Sequence, residues 1–251
     1  MRSLLLVLAA VLVLPLALAG CTTAPPVAGP DDRISNWTDP ASASATAANP
    51  SECEYVKTGE AARPVELPPM SDVPHTGKVV WTITTNEGPL VISLDRALAP
   101  CAVNSFVSLA EQKYFDDTSC HRLADQTIYI LQCGDPTGSG SGTPGYAFAD
   151  EVTPQTTYPA GTIAMANSGP NSNGSQFFFV FQDSQLSPDY TVFGTFDVEG
   201  QALLSRIAVE GHDGRYENGA SGKPYNPAHI VSVTEGGTVG RPIPRTTSSG
   251  R

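Results

Sequence analysis

Apolar and polar residues alternate along Lys78 to Thr84 (KVVWTIT) and again along Leu90 to Leu94 (LVISL). Between them stands Asn86-Glu87-Gly88-Pro89, so the pattern predicts two strands joined as a hairpin. From Ala102 to Lys113 the spacing changes. Val103, Phe106, Leu109 and Ala110 recur at helical intervals, and Pro100 stands just ahead, where a missing N–H costs little. Short apolar runs at Ile128–Gln132, Thr162–Ala166, Gln176–Phe181 and Thr191–Phe196 predict further strands. Gly200–Val209 predicts a second helix, with Leu203, Leu204 and Ile207 facing inward, and Ile230–Thr234 a last strand. Many short strands with two helices point to a mainly β domain, a small barrel capped by helices.

The ends of the chain follow other rules. Arg2 precedes an uncharged apolar run from Leu4 to Leu18, and Leu18-Ala19-Gly20-Cys21 follows. A basic start, an apolar middle and a small-residue exit form a signal peptide, here residues 1–20. The last four residues resemble a bacterial lipobox, in which Cys21 is lipidated and becomes the mature N-terminus. The expected location is then the extracytoplasmic face of the cell membrane, through a lipid anchor. Two alternatives stand beside it. Ala17-Leu18-Ala19 is also a cleavage site, and cutting after Ala19 gives a secreted protein. An uncleaved run is a membrane anchor, although it is short and carries Pro15. Residues 22–51 contain 21 Ala, Ser, Thr, Pro or Gly among 30 positions, which predicts a disordered tether reaching roughly 30 Å. Residues 52–75 are expected to form an N-terminal extension packed on a domain at 76–235, and 236–251 a flexible tail.

Charge and cysteine content narrow the function. With 14 Lys+Arg against 25 Asp+Glu the net charge is −11, and no basic stripe is present, so nucleic acid is an unsuitable partner. The four histidines, His75, His121, His212 and His229, have no metal-ligand spacing, and no metal or cofactor is expected. The Gly-rich loop 134–142 lacks the Gly-Lys-Ser/Thr ending of a phosphate loop. Beyond Cys21 there remain Cys53, Cys101, Cys120 and Cys133. An even number in an exported chain predicts two disulfides, and spacing leaves all three pairings open.

Met165-Ala166-Asn167-Ser168-Gly169-Pro170-Asn171-Ser172-Asn173-Gly174-Ser175-Gln176-Phe177-Phe178 resembles the signature of the cyclophilin-type peptidyl-prolyl isomerases. His121-Arg122 followed by Gln132-Cys133-Gly134-Asp135, and Val192-Phe193-Gly194 further on, are similar to the same family. The resemblance covers about residues 76–235. It implies an eight-stranded antiparallel barrel capped by two α-helices, and an enzyme that binds proline-containing peptide segments of exported proteins. Residue by residue it implies that Arg122 is the catalytic arginine and that Gln132 contacts the substrate backbone. Tyr129, Ile130, Phe178 and Leu186 then line the proline pocket. Ala166, Asn167 and Gln176 hold the peptide or shape an adjoining pocket, and Tyr190 forms the rim.

The chain departs from the family pattern at several places. It is two residues longer between Arg122 and Gln132 than the common animal form. Tyr190 stands where many members have histidine, Cys120 for a phenylalanine and Cys133 for a glycine. Gln185 replaces the tryptophan that binds cyclosporin, which weakens any binding of that drug. A non-catalytic proline-peptide binding module or chaperone at the cell surface is the alternative function, since such a module keeps the groove and tolerates loss of the arginine.

Overall fold

A computed structural model of the chain describes residues 52–243. The expectations for residues 1–20, Cys21, the tether 22–51 and the final residues 244–251 lie outside the described residues. The chain divides after Ala45, and every described residue belongs to the second unit.

Eleven strands and two α-helices are present among the described residues: β1 (Val56–Lys57), β2 (Lys78–Thr85), β3 (Gly88–Asp95), α1 (Pro100–Glu111), β4 (Arg122–Asp125), β5 (Tyr129–Cys133), β6 (Tyr146–Ala147), β7 (Thr162–Met165), β8 (Phe177–Val180), β9 (Val192–Phe196), α2 (Val198–Val209), β10 (Ser221–Gly222) and β11 (Ile230–Glu235). A 3₁₀ turn occupies Glu217–Gly219. Strands β1 and β6 pair with each other. The other nine form one antiparallel sheet in the order β10-β4-β5-β8-β7-β9-β3-β2-β11.

The expected barrel had eight strands and closed on itself; the sheet has nine and is open. Its edges are β10 and β11, which make no ladder with each other. The gap is crossed by the segment leading into β4, through an isolated bridge from Thr118 to Ile230 and a bond from Cys120 N to Pro227 O. The ninth strand, β10, has two residues, too few for any alternation to show in the sequence.

Alternation sorts the side chains onto two faces. Leu90, Ile92 and Leu94 of β3 are buried in the main core beneath the helices. Phe106 of α1 packs there against Phe115, Phe177 and Phe193, with ring centroids 5.1–5.7 Å apart. Helix α1 begins at Pro100, which is its first residue, not the one before it, and ends by Lys113, whose φ is +62°. Its first N–H groups are taken by the Glu151 carboxylate, which accepts from Cys101 N and Ala102 N. Helix α2 starts two residues ahead of the predicted position, where Asp197 caps it by accepting from Gly200 N at 2.9 Å.

Two disulfides join Cys53 to Cys101 and Cys120 to Cys133. The first ties the segment before β2 to α1. Tyr55 of that segment is buried, and its hydroxyl donates to Cys101 O. Arg63 donates to the carbonyls of Lys113, Tyr114 and Asp116. The second disulfide lies under the strand pair β4–β5.

Candidate active site

A second, smaller apolar cluster lies on the outer face of the sheet. Ala124, Ile130, Tyr158, Ala164, Phe178 and Val180 form it, with Ile128, Ala166, Leu186, Tyr190 and Val192 packed alongside. Strand register explains why these residues meet. Arg122 lies opposite Gln132, Gln132 opposite Phe178, Phe178 opposite Ala164, and Ala164 opposite Val192. One row of side chains therefore crosses β4, β5, β8, β7 and β9. Neighbouring strands stand about 4.8 Å apart, so the guanidinium and the Phe178 ring start some two strand widths, about 10 Å, from each other.

A cavity of about 320 Å³ opens on this row. Ile130 and Phe178 are buried in it, 3% and 2% exposed. Leu186, Tyr190 and Ile128 complete its apolar wall, and Arg122, Gln132, Ala166 and Asn167 edge it, together with Glu217. Phe178 and Tyr190 meet edge to face, with centroids 5.6 Å apart. The Tyr158 hydroxyl donates to Tyr190 O and accepts from Tyr190 N, both at 2.9 Å, which holds the loop carrying that rim. Asn167 donates to Asp189 O at 2.8 Å.

The polar edge is a chain of hydrogen bonds. Arg122 Nη1 donates to Gln132 Oε1 at 3.2 Å, and Gln132 Nε2 donates to Gln176 Oε1 at 2.9 Å. Gln176 Nε2 donates in turn to the carbonyls of Gly140 and Gly142. These glycines belong to the Gly-rich loop, whose shape rests on the buried carboxylate of Asp135. Burial alone would raise the Asp135 pKa. Donors from Thr137, Gly142 and Gly140 outweigh it together and hold the carboxyl below its usual range. The loop, Ser168, Ser172 and Gln176 surround an adjoining cavity of about 220 Å³, which shares Gln132, Ala166 and Asn167 with the first.

Eight of the ten expected peptide-site residues, Arg122, Ile130, Gln132, Ala166, Asn167, Phe178, Leu186 and Tyr190, line the first cavity, and Gln176 lines the second. Tyr129 lines neither. It sits at the start of β5 on the face opposite Ile130 and packs on the main core, its ring 6.1 Å from Phe181. Ile128, on the same face as Ile130, takes the place expected for Tyr129. Gln185 is exposed and is not among the lining residues. His121 is 6% exposed, and neither ring nitrogen has a partner. Burial is the largest influence on its pKa and lowers it, which favours the neutral ring.

Two participants escaped the sequence. Glu217 and Ser221 both bond to Arg122. They lie 95 and 99 residues downstream, in a turn with no hydrophobic pattern, so nothing local marks them.

The barrel-like sheet carries an apolar pocket with an arginine on its rim. Comparison with known proteins gives the family. Residues 80–235 match the family model for cyclophilin type peptidyl-prolyl cis-trans isomerase/CLD. A protein of Mycobacterium tuberculosis (strain ATCC 25618 / H37Rv) named probable peptidyl-prolyl cis-trans isomerase B is 44% identical over 196 residues. That alignment covers 72% of this chain and 63% of the relative, so the chain spans less than two thirds of that relative's length. The crystal structure of a cyclophilin type peptidyl-prolyl cis-trans isomerase of Cryptosporidium parvum is similar with a TM-score of 0.55 and 28% identity, covering 64% of this chain and 99% of that one. A second crystal structure of that protein, in the presence of the dipeptide Ala-Pro, has a TM-score of 0.52 at the same identity, over 63% and 99% of the two chains. The chain belongs to the cyclophilin-type peptidyl-prolyl cis-trans isomerase family.

Proposed function

We propose that this chain accelerates cis-trans rotation about X–Pro bonds in exported proteins. The observation that carries the proposal is the placement of the Arg122 guanidinium on the rim of an apolar pocket floored by Phe178.

The peptide C–N bond rotates over a barrier of about 18–20 kcal/mol because it has partial double-bond character. At X–Pro the two isomers are close in energy yet exchange in tens to hundreds of seconds. No bond need break. The catalyst must favour the twisted amide, in which the prolyl nitrogen turns pyramidal and gains a lone pair. A guanidinium beside that nitrogen or the prolyl carbonyl stabilises this charge pattern, and arginine stays protonated at any working pH. Bringing exchange to milliseconds requires four to five decades, or about 6 kcal/mol. A hydrogen bond from a charged donor contributes about 1.5–3 kcal/mol. Holding the proline ring against Phe178, Ile130 and Leu186 while the preceding residue rotates contributes the remainder. The apolar wall also lowers the local dielectric and strengthens the arginine contact.

Residues 1–21 support export with a lipid on Cys21, or release after Ala19. An enzyme held outside the membrane meets chains as they emerge from translocation. Cyclosporin is expected to bind weakly, because Gln185 offers no indole.

The test is the cis-to-trans rate of an Ala-Pro peptide with the wild-type chain and with Arg122→Ala. Acceleration that falls more than tenfold in the variant is expected. Unchanged turnover in the variant would overturn the arginine role. No acceleration by either folded protein would favour the binding module.

A further inference from the structure

Each of the guanidinium's three nitrogens has an acceptor. Nη1 donates to Gln132. Nε donates to the Ser221 hydroxyl at 3.2 Å, and Nη2 donates to Glu217 Oε1 at 2.5 Å. The Ser221 hydroxyl in turn donates to Glu217 Oε2 at 2.7 Å. Arg122, Ser221 and Glu217 thus form a closed ring of hydrogen bonds.

The backbone around Glu217 is built to deliver its carboxylate. Glu217 has φ +52° and Asn218 φ +56°, left-handed values that a glutamate rarely adopts. The turn is held at its base by Tyr216 N donating to Ser221 O, and at its tip by Gln126 Nε2 donating to Gly219 O at 3.0 Å. Its outgoing end is strand β10, where Ser221 pairs with Ala124 and Gly222 with Leu123 of β4. Just upstream His212 bonds Asp125 of the same strand at 3.1 Å. The strand that carries Arg122 therefore also anchors the turn that grips it.

We propose that Glu217 and Ser221 are positioning residues for Arg122, fixing the fork of its guanidinium over the proline pocket. This rests on the reading of Arg122 as the catalytic group. The Arg122 side chain is partly exposed and has four rotatable bonds, so packing alone does not orient it. A misplacement near 1 Å at such a group is costly to the rate. Glu217 has a second effect of opposite sign. Its negative charge beside the guanidinium weakens the positive field at the prolyl nitrogen. Removing the carboxylate slows the enzyme if orientation dominates and speeds it if the field dominates. The residue's strained, anchored placement points to orientation.

The test uses the full chain and an Ala-Pro peptide, with turnover followed by exchange and affinity by NMR titration. Glu217→Ala is expected to lower kcat/KM by about tenfold while peptide affinity stays within about twofold, because the apolar pocket is intact. Glu217→Gln keeps an acceptor for Arg122 and is expected to restore most of the rate. In the Arg122→Ala background, Glu217→Ala should have no further effect, since the two act as one unit. A Glu217→Ala protein at or above wild-type rate would overturn the proposal, as would a Gln variant as slow as the Ala variant. If Arg122→Ala itself kept full activity, the arginine reading would fail. If Arg122→Ala is slow and Glu217→Ala is not, the positioning role fails alone. Matching thermal melts of the variants would show that each one folds.

Discussion

Arg122 and Gln132 are direct cross-strand partners on β4 and β5, joined at 3.2 Å through Nη1 and Oε1. Gln132 also passes the connection on to Gln176 and the Gly-rich loop. Replacing it with alanine removes one of the guanidinium's acceptors and the donor to Gln176 Oε1. Gln132→Ala is expected to lower kcat/KM by about tenfold, the equivalent of one hydrogen bond to a charged group. An unchanged rate in an exchange assay would show that the rest of the network holds Arg122 without it.

Phe178 is buried and forms the pocket floor, while Phe177 and Phe179 on either side face the main core. Phe178→Ala is expected to weaken peptide binding sharply and to cost about 3 kcal/mol of stability. Phe178→Leu should cost less on both counts. A urea melt and a peptide titration measure the two separately. Full peptide affinity in the Ala variant would remove Phe178 from the site.

The two disulfides close loops of different length, with sequence separations of 48 and 13. Loop-closure entropy makes the longer worth about 4 kcal/mol and the shorter about 3 kcal/mol. Replacing Cys53 and Cys101 by serine should therefore lower stability more than replacing Cys120 and Cys133. The shorter bridge flanks Arg122 and Gln132, so its loss should show more strongly in the exchange rate. Mass mapping of the unreduced protein checks the pairing, and a Cys53–Cys120 or Cys53–Cys133 peptide would refute it.

Burial pushes the His121 imidazole below its ordinary value of 6.5, and the Asp135 charge offsets only part of that. The unfolded chain therefore takes up a proton at a pH where the folded protein does not. The stability linked to His121 is complete above pH 6.5 and is lost as pH falls through the lowered folded value. His121→Gln should flatten this limb of the stability curve. Wild-type and variant curves running parallel below pH 6.5 would contradict it.

The alternating runs at Lys78–Thr84 and Leu90–Leu94, the helical spacing of Val103, Phe106 and Leu109, and the 165–178 motif are local signals. Periodicity in a segment reports which of its faces is buried, so these strands and both helices are legible in the sequence itself. Position-by-position likeness to a known family was enough to bring Arg122, Gln132 and Phe178 forward as partners.

What the sequence left open depends on contacts between distant segments. Disulfide pairing was undecidable from spacing, because four cysteines carry no record of which chain segments adjoin. Tyr129 was misplaced by one position. A one-residue slip along a strand exchanges its faces, and only the register of β5 against β4 and β8 settles which face is which. The ninth strand and the open edge arise from a two-residue pairing of Ser221 and Gly222 with β4. Glu217 reaches Arg122 for the same reason: a hydrogen bond across 95 residues exists only once β10 has docked, and no local pattern encodes it.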